Sequence, residues 1–382
     1  MKKRIVNFGI IGCGMMGREF ASATARWCHL LDLDFEPRLV AVSSRTEQSM
    51  DWFRHNFNLS LTTTDYRQLI AHPEVEAVYC AVPHNLHEQV YVDILRAGKH
   101  LFGEKPFGID QSANRVILEE IGRHPDLFVR CVSQFAFYPG AYRIFQWMSE
   151  GRFGRIISAE AGFLHSSDLD PRKPINWKRQ IAFNGEYGCM GDLGFHILYL
   201  PLRFGWMPRS LRALLSKIVT QRPDKEGNLV PCETWDNAVL ACDVNNGGCA
   251  FPMLLATKRI APGNQNTWYI KIEGTEFSAQ YSLQNPKQIA YLPYVSGSPQ
   301  AWHVQDLAHQ SAYASITGHI FEFGASDAML QMIAAFCDEL LHGSAMQQPL
   351  YCATPDETAR SHAIFSAALT SQRQDSVVQL DE

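Results

Sequence analysis

The sequence is short of several things that would each point to a particular kind of protein. Its ten cysteines include no Cys-x-x-Cys pair, which removes the usual zinc-ribbon and dithiol redox spacings and leaves scattered thiols suited to a reducing compartment. No apolar run beyond the N-terminus approaches the roughly 20 residues that span a bilayer. There is no excess of basic charge either: 34 Lys and Arg stand against 39 Asp and Glu, for a net charge of -5. Neither nucleic acid nor an anionic membrane is held by such a field. Neither HExxH nor HxxEH occurs, and no metal is expected. What remains is 46% hydrophobic and 19% charged, ordinary for a soluble enzyme with more than one core.

The N-terminal "MKKRIVNFGIIGCGMMG" has the basic start and short apolar core of a secretion signal. The glycines at 12, 14 and 17 nevertheless open directly into a helix-like segment, which cleavage before Cys13 would destroy, so a cytoplasmic protein is expected. Strand, glycine turn and helix, followed by a second strand at 37–44, is the context a dinucleotide site requires. The alternation continues with helices near 46–57, 65–71, 86–98 and 110–123 and strands at 76–83, 100–104 and 127–135. Such an order predicts a doubly wound parallel sheet, an α/β Rossmann domain over residues 1–135. After that the segments lengthen and alternate, as in "DNAVLACDV" and "WYIKIEGTEFSAQYS". Residues 136–382 are therefore expected to form an α+β domain with a large, mostly antiparallel open sheet for substrate binding and oligomerisation.

Backbone geometry supplies the chemistry of the first domain. Gly12 permits a tight turn, Gly14 allows close approach of a pyrophosphate, and Gly17 lets the helix pack on the strand; Cys13, Met15 and Met16 complete the cofactor turn. At the end of the second strand stand Ser44 and Arg45, with no carboxylate to repel a 2'-phosphate. NADP is accordingly favoured over NAD. Asp32 and Asp34 precede that strand and belong to its connection. In "CAVPHNLHEQV", Ala81, Pro83, Asn85 and His87 lie where a turn would bracket the nicotinamide ribose.

Two polar groups stand out further. "LFGEKPFG" ends an apolar strand on Glu104 and Lys105 and stops it with Pro106, as expected where a lysine faces a ligand cleft. In "NGEYGCMGDLGFHILYLPL", Asp192 and His196 are four apart, so on an α-helix they share a face, and a carboxylate can prepare the imidazole as a general base. Read alone, Asp192 is equally a helix cap and His196 a satisfied core histidine. Tyr138, Trp177 and Tyr187 suit either sugar stacking or wall packing.

GxGxxG, "EKP" about ninety residues on, and "GDLGFH" together resemble the Gfo/Idh/MocA oxidoreductases, the group of glucose-fructose oxidoreductase and inositol dehydrogenase, over nearly the whole chain. The resemblance implies that Lys105, Asp192 and His196 are catalytic and that Glu104 and Lys105 also lie at the cofactor, the lysine against the nicotinamide and the reacting hydroxyl. It implies further that Glu104 orients the lysine, that Trp177 and Lys178 reach the cofactor with lysine in place of the family's arginine, and that Tyr138 and Tyr187 border the substrate. The activity implied is NAD(P)-dependent hydride transfer to or from a sugar, cyclitol or related polyol, in a homodimer or homotetramer built through the open sheet. Two alternatives remain: an NAD-dependent glycosidase using transient oxidation and elimination, and a non-catalytic cofactor-binding regulator.

Overall fold

The computed structural model describes residues 3–307, 310–318 and 320–380, which gather into two compact units. One comprises the chain up to Gly108, Ser112–Phe137 and Ser311–Pro355; the other comprises Ile109–Gln111, Tyr138–Gln310 and the chain from Asp356 on. The units are thus not consecutive blocks of sequence. Among the described residues no helix is long and apolar enough to cross a membrane.

In the first unit six parallel strands, β1 (Arg4–Ile11), β2 (Phe35–Ser43), β3 (Leu61–Thr63), β4 (Ala77–Cys80), β5 (His100–Gly103) and β6 (Val129–Cys131), lie in the order β3-β2-β1-β4-β5-β6. Their apolar runs are buried on both faces because helices cover both: α1 (Met15–Ala25), α2 (Glu47–Asn56), α3 (Tyr66–Ile70), α4 (His87–Arg96) and α5 (Gln111–Arg123). The strand order reverses direction between β1 and β4, the switch point at which doubly wound sheets take ligands. Strand β3 went unseen in the sequence, and the strand foreseen at 127–135 narrows to 129–131.

A helix from far down the chain completes this unit. Phe336, on the helix Ala325–His342, stacks on Phe102 with centroids 4.4 Å apart and lies 5.0 Å from Phe128 and 5.7 Å from Phe8. Arg26 pairs with Asp327 at 2.6 Å, and the Cys131 N–H donates to the carbonyl of Ala353 at 2.8 Å. Burial of an aromatic of this size contributes about 1.5–3 kcal/mol, more than the part-exposed Arg26–Asp327 pair.

The second unit is built on a nine-stranded sheet. Its strands are β7 (Ile156–Leu164), β8 (Pro208–Ser216), β11 (Asn237–Asn246), β12 (Cys249–Lys258), β13 (Thr267–Gly274), β14 (Phe277–Ser282), β15 (Gln288–Pro293), β16 (His303–Asp306) and β17 (Val378–Gln379). A separate ribbon pairs β9 (Gln221–Pro223) with β10 (Leu229–Pro231). The order is β16-β15-β14-β13-β7-β12-β11-β8-β17, antiparallel except where β7 runs parallel to β12. Helices α6 (Pro139–Ser149) and α7 (Phe195–Arg203) cover one face, through Trp147 on Phe277 at 5.0 Å and through Phe163 against His196 at 5.6 Å. Strict alternation leaves Leu214 and Leu254 exposed on the other face.

Gly140 shows how closely α6 sits on the sheet: a Cβ there would run into the Tyr281 ring. Because a packed ring cannot yield to a branched side chain, Gly140→Val is expected to destabilise this unit by about 1–3 kcal/mol. Chemical denaturation reads this directly, and a variant unfolding at the parental midpoint would contradict the packing described.

Candidate active site

The glycine turn divides its roles among three residues. Gly12 has φ +105°, donates its N–H to the Ser43 carbonyl at 2.9 Å and lies so close to Ala81 that a Cβ would meet the Ala81 carbonyl carbon at 2.7 Å. Gly17 is held against the Gly12 carbonyl oxygen, where a Cβ would also collide. Gly14 differs: a Cβ there would meet nothing within 4 Å, so this is the open side of the turn. Helix α1 starts at this point with no side-chain cap and no acidic residue in its first turn, leaving its first N–H groups for an anion. Around it Met15 is exposed, Met16 is half-buried, and Cys13 is buried with its thiol 3.6 Å from the Ser43 carbonyl oxygen. Burial pushes that thiol up to about 12, so it packs as a neutral group.

At the end of β2, Ser44 accepts a hydrogen bond from Ser49 at 2.7 Å and Arg45 is exposed. Asp34 lies at the opposite edge of the sheet, its carbonyl accepting from Arg4 at the start of β1. Glu47, the next acid along the chain, pairs with Arg54. A dinucleotide phosphate therefore fits the residues present at this edge.

Past β4, Ala81 and Pro83 are half-buried and Asn85 is exposed on the turn. His87 has no exposed surface. Its Nδ1 accepts from the Gly108 N–H at 3.3 Å, so Nε2 carries the proton and lies 3.1 Å from the Val82 carbonyl, while the ring stacks on Tyr91 at 4.8 Å. His87 thus ties the β4 turn to the chain beyond Lys105, beneath the surface a ligand would use.

That chain is fixed on every side. Tyr79 donates to the Glu104 carboxylate at 2.7 Å, Tyr91 donates to the Glu104 carbonyl at 2.8 Å, and the Glu104 N–H reaches the Cys80 carbonyl at 3.0 Å. The Lys105–Pro106 bond is cis, Phe107 has φ +66°, and Asn114 donates to the Phe107 carbonyl at 2.9 Å. Glu104 is buried, and the half-buried Lys105 stands at the carboxyl edge beside the glycine turn's strands.

In the second unit the single helix expected through Asp192 and His196 is two segments: Met190–Gly194 forms a π-helical turn and only Phe195–Arg203 is α-helical. The structure puts Asp192, 3% exposed, between two cations: Lys178 at 3.1 and 3.2 Å and the guanidinium of Arg259. His196 is also buried, its carbonyl accepting from Trp268 at 2.9 Å. Trp177 is half-buried, its ring centroid 5.6 Å from the Lys178 ammonium.

Sequence reasoning missed Arg259 and the ion network behind it. Arg259 lies 4.0 Å from Asp168, which Arg179 approaches to 3.5 Å and Lys173 to 3.5 Å; Arg179 also pairs with Asp236. Arg222 donates to the carbonyls of Asp168, Asp170 and Lys173. Burial alone would raise the Asp168 pKa, but Arg259, Arg179, Lys173 and Arg222 outweigh it and hold the carboxyl below its usual range. Three arginines in buried surroundings were a usable signal only as a group, since nothing in linear spacing joins them.

Tyr187 is buried and shares its hydroxyl with Ser366 at 2.8 Å, its ring 5.5 Å from Phe365. Burial raises it to about 12, so it stays a neutral donor. Tyr138 is buried at the start of α6.

Comparison with known proteins agrees with this geometry. A family model described as "Oxidoreductase family, NAD-binding Rossmann fold" (Gfo/Idh/MocA) matches residues 6–124. Levoglucosan dehydrogenase of Pseudarthrobacter phenanthrenivorans is 25% identical over 307 residues, 75% of this chain and 76% of that protein. Trans-1,2-dihydrobenzene-1,2-diol dehydrogenase of Mus musculus is 26% identical over 52% of this chain and 56% of its own length. Among solved structures, a levoglucosan dehydrogenase complex with NADH and L-sorbose superposes with a TM-score of 0.87 at 19% identity, covering 99% of this chain and 100% of that one. An NAD-binding oxidoreductase from Klebsiella pneumoniae gives 0.87 at 21%, covering 99% of each chain. At those identities the structures establish the shared fold.

The ion network yields a stability prediction. Asp168→Asn leaves its cations without a carboxylate and is expected to cost about 3–5 kcal/mol near neutral pH. Because the folded value lies below the unfolded one near 4, wild-type Asp168 contributes fully above about pH 4 and loses its contribution as the pH falls further. The gap between wild type and variant, measured by denaturation across pH, is therefore expected to narrow on acidification; a constant gap would contradict this.

Proposed function

We propose, from the premise that the chain belongs to the Gfo/Idh/MocA oxidoreductase family, that it is an NAD(P)-dependent dehydrogenase or reductase acting on a CH–OH group of a sugar, cyclitol or related polyol, with NADP favoured over NAD. The observation that carries this reading is Lys105, held at the carboxyl edge of β5 by a buried glutamate and two tyrosines, on the same sheet as the open glycine turn.

The first N–H groups of α1, from Met15 and Met16 on, would hold the pyrophosphate, and Ser44 and Arg45 a 2'-phosphate. Ala81, Pro83 and Asn85 would border the ribose. The nicotinamide, when bound, supplies the hydride donor or acceptor. The rest falls to side chains. Lys105 donates to the substrate oxygen, and His196 holds the hydroxyl proton as general base or acid. Asp192, flanked by Lys178 and Arg259, keeps those cations in place. The exposed sheet face carrying Leu214 and Leu254 is where a second copy of the chain would pack, giving a homo-oligomer.

Two measurements check this. Lys105→Ala is expected to lower kcat by about 10²–10⁴, while NADPH affinity, read by fluorescence, changes by far less than kcat. Full turnover in that variant would remove lysine from the chemistry. Arg45→Ala is expected to weaken NADPH by about tenfold, roughly one charge-assisted contact, and leave NADH unchanged. Equal effects on both would assign the arginine to adenine or to solvent. Net accumulation of reduced cofactor in these assays separates a dehydrogenase from a glycosidase that returns its hydride.

A further inference from the structure

We propose that Arg18 is a second cation on the 2'-phosphate of NADP, acting beside Arg45, and that it helps set the preference for the phosphorylated cofactor; this rests on the oxidoreductase reading above and adds to its cofactor edge a residue from α1. A 2'-phosphate carries about 1.5–2 negative charges near neutral pH, and one exposed guanidinium answers only part of that. Three exposed arginines stand at this end of the sheet: Arg18 near the start of α1, Arg45 in the turn after β2, and Arg54 on α2. Arg54 is committed elsewhere. It pairs with Glu47, lies 3.0 Å from Asp51 and donates to the Thr62 hydroxyl at 3.1 and 3.2 Å. Glu19, the acid next to Arg18 in sequence, accepts from Ser326 at 3.1 Å. Among the described residues Arg18 has the Trp52 ring as its side-chain partner and no carboxylate.

Position points the same way. The Arg18 guanidinium lies over the Trp52 ring, 5.7 Å from its centroid, so the side chain reaches from α1 to α2, the helix that Ser44 and Arg45 lead into. Its charge is also felt by the Cys13 thiol, which lies 3.6 Å from the Ser43 carbonyl oxygen and has the Ser44 side chain as a further hydrogen-bond partner. Cys13, Ser44 and Arg18 thus share one neighbourhood at the end of β2, where Ser49 donates to Ser44 at 2.7 Å. A guanidinium over an aromatic face is steadied by the ring while its N–H edge stays open to donate in its own plane, the geometry that grips a phosphate through two parallel bonds. NAD has only a hydroxyl at that place, which gives a second cation nothing to hold.

The experiment is equilibrium binding to the full-length protein, by calorimetry, of adenosine 2',5'-bisphosphate against adenosine 5'-monophosphate, two probes that differ only in the 2'-phosphate. Wild type, Arg18→Gln, Arg18→Lys and Arg45→Ala are compared, with melting curves confirming that each is folded. Wild type is expected to bind the bisphosphate about tenfold or more tighter than the monophosphate, and less so at high salt. Arg18→Gln is expected to weaken the bisphosphate by about tenfold and the monophosphate by less than about twofold, with Arg18→Lys between wild type and Arg18→Gln. A wild type that does not distinguish the probes, an Arg18→Gln variant that keeps the full preference, or one that loses affinity for both probes equally overturns the proposal. A preference abolished by Arg45→Ala but untouched by Arg18→Gln removes Arg18 and leaves the cofactor reading in place. Binding is read without turnover, so a 2'-phosphate preference that depends on Arg18, in a protein that never changes the redox state of NADP with any polyol or ketose, would defeat the oxidoreductase reading and leave this one standing.

Discussion

The first unit depends on one close approach, that of Gly12 to the backbone of Ala81. A side chain at Gly12 would overlap the Ala81 carbonyl, and its φ of +105° is one that L residues rarely adopt. Because of that contact, β1 and β4 end at the same level. Their ends are where the sheet order reverses and where the N-terminus of α1 is left uncapped. The rest of this edge is arranged about it: Ser43 accepts the Gly12 N–H, and Glu104 continues β5 by bonding to the end of β4. Lys105, the next residue, therefore follows a backbone tied to β4.

The second unit solves a different problem, that of keeping charge in a nearly dry place. Asp192 would be expensive to bury alone and is compensated by Arg259 and Lys178. The π-helical turn at Met190–Gly194 gives it a backbone setting different from the α-helix that follows. A wide turn of this kind costs regular hydrogen-bond geometry and is found most often at functional sites. The network extends inward to Asp236, which also ties down the backbone at Ile218 and Val219. Electrostatics and fold stability are thus joined in the same few residues.

Most of the parallel sheet was legible in the sequence because strands covered on both faces read as continuous apolar runs punctuated by glycine and proline. β3 escaped because three residues, Leu61–Thr63, are too few for any periodicity. The helix Ala325–His342 was legible as a helix, but not as part of the first unit: its partner for Phe336 is a cluster of phenylalanines more than two hundred positions earlier, and no local pattern encodes that. The glycine-rich segment before His196 read as an ordinary helix, since propensity does not distinguish an α turn from a π turn. Lys105 stood out because an apolar strand ending in charge is itself an anomaly. Arg259 was missed because an arginine at the end of an amphipathic strand is not.

The central claim is that this chain binds a nicotinamide dinucleotide at the β1–β4 edge and exchanges it between turnovers. Native mass spectrometry of the purified protein, followed by fluorescence titration with NADPH and NADH, tests it most directly. The account predicts saturable, exchangeable binding with one dinucleotide per chain and NADPH the tighter of the two. Protein that binds neither, or that carries NAD it will not release, would contradict it.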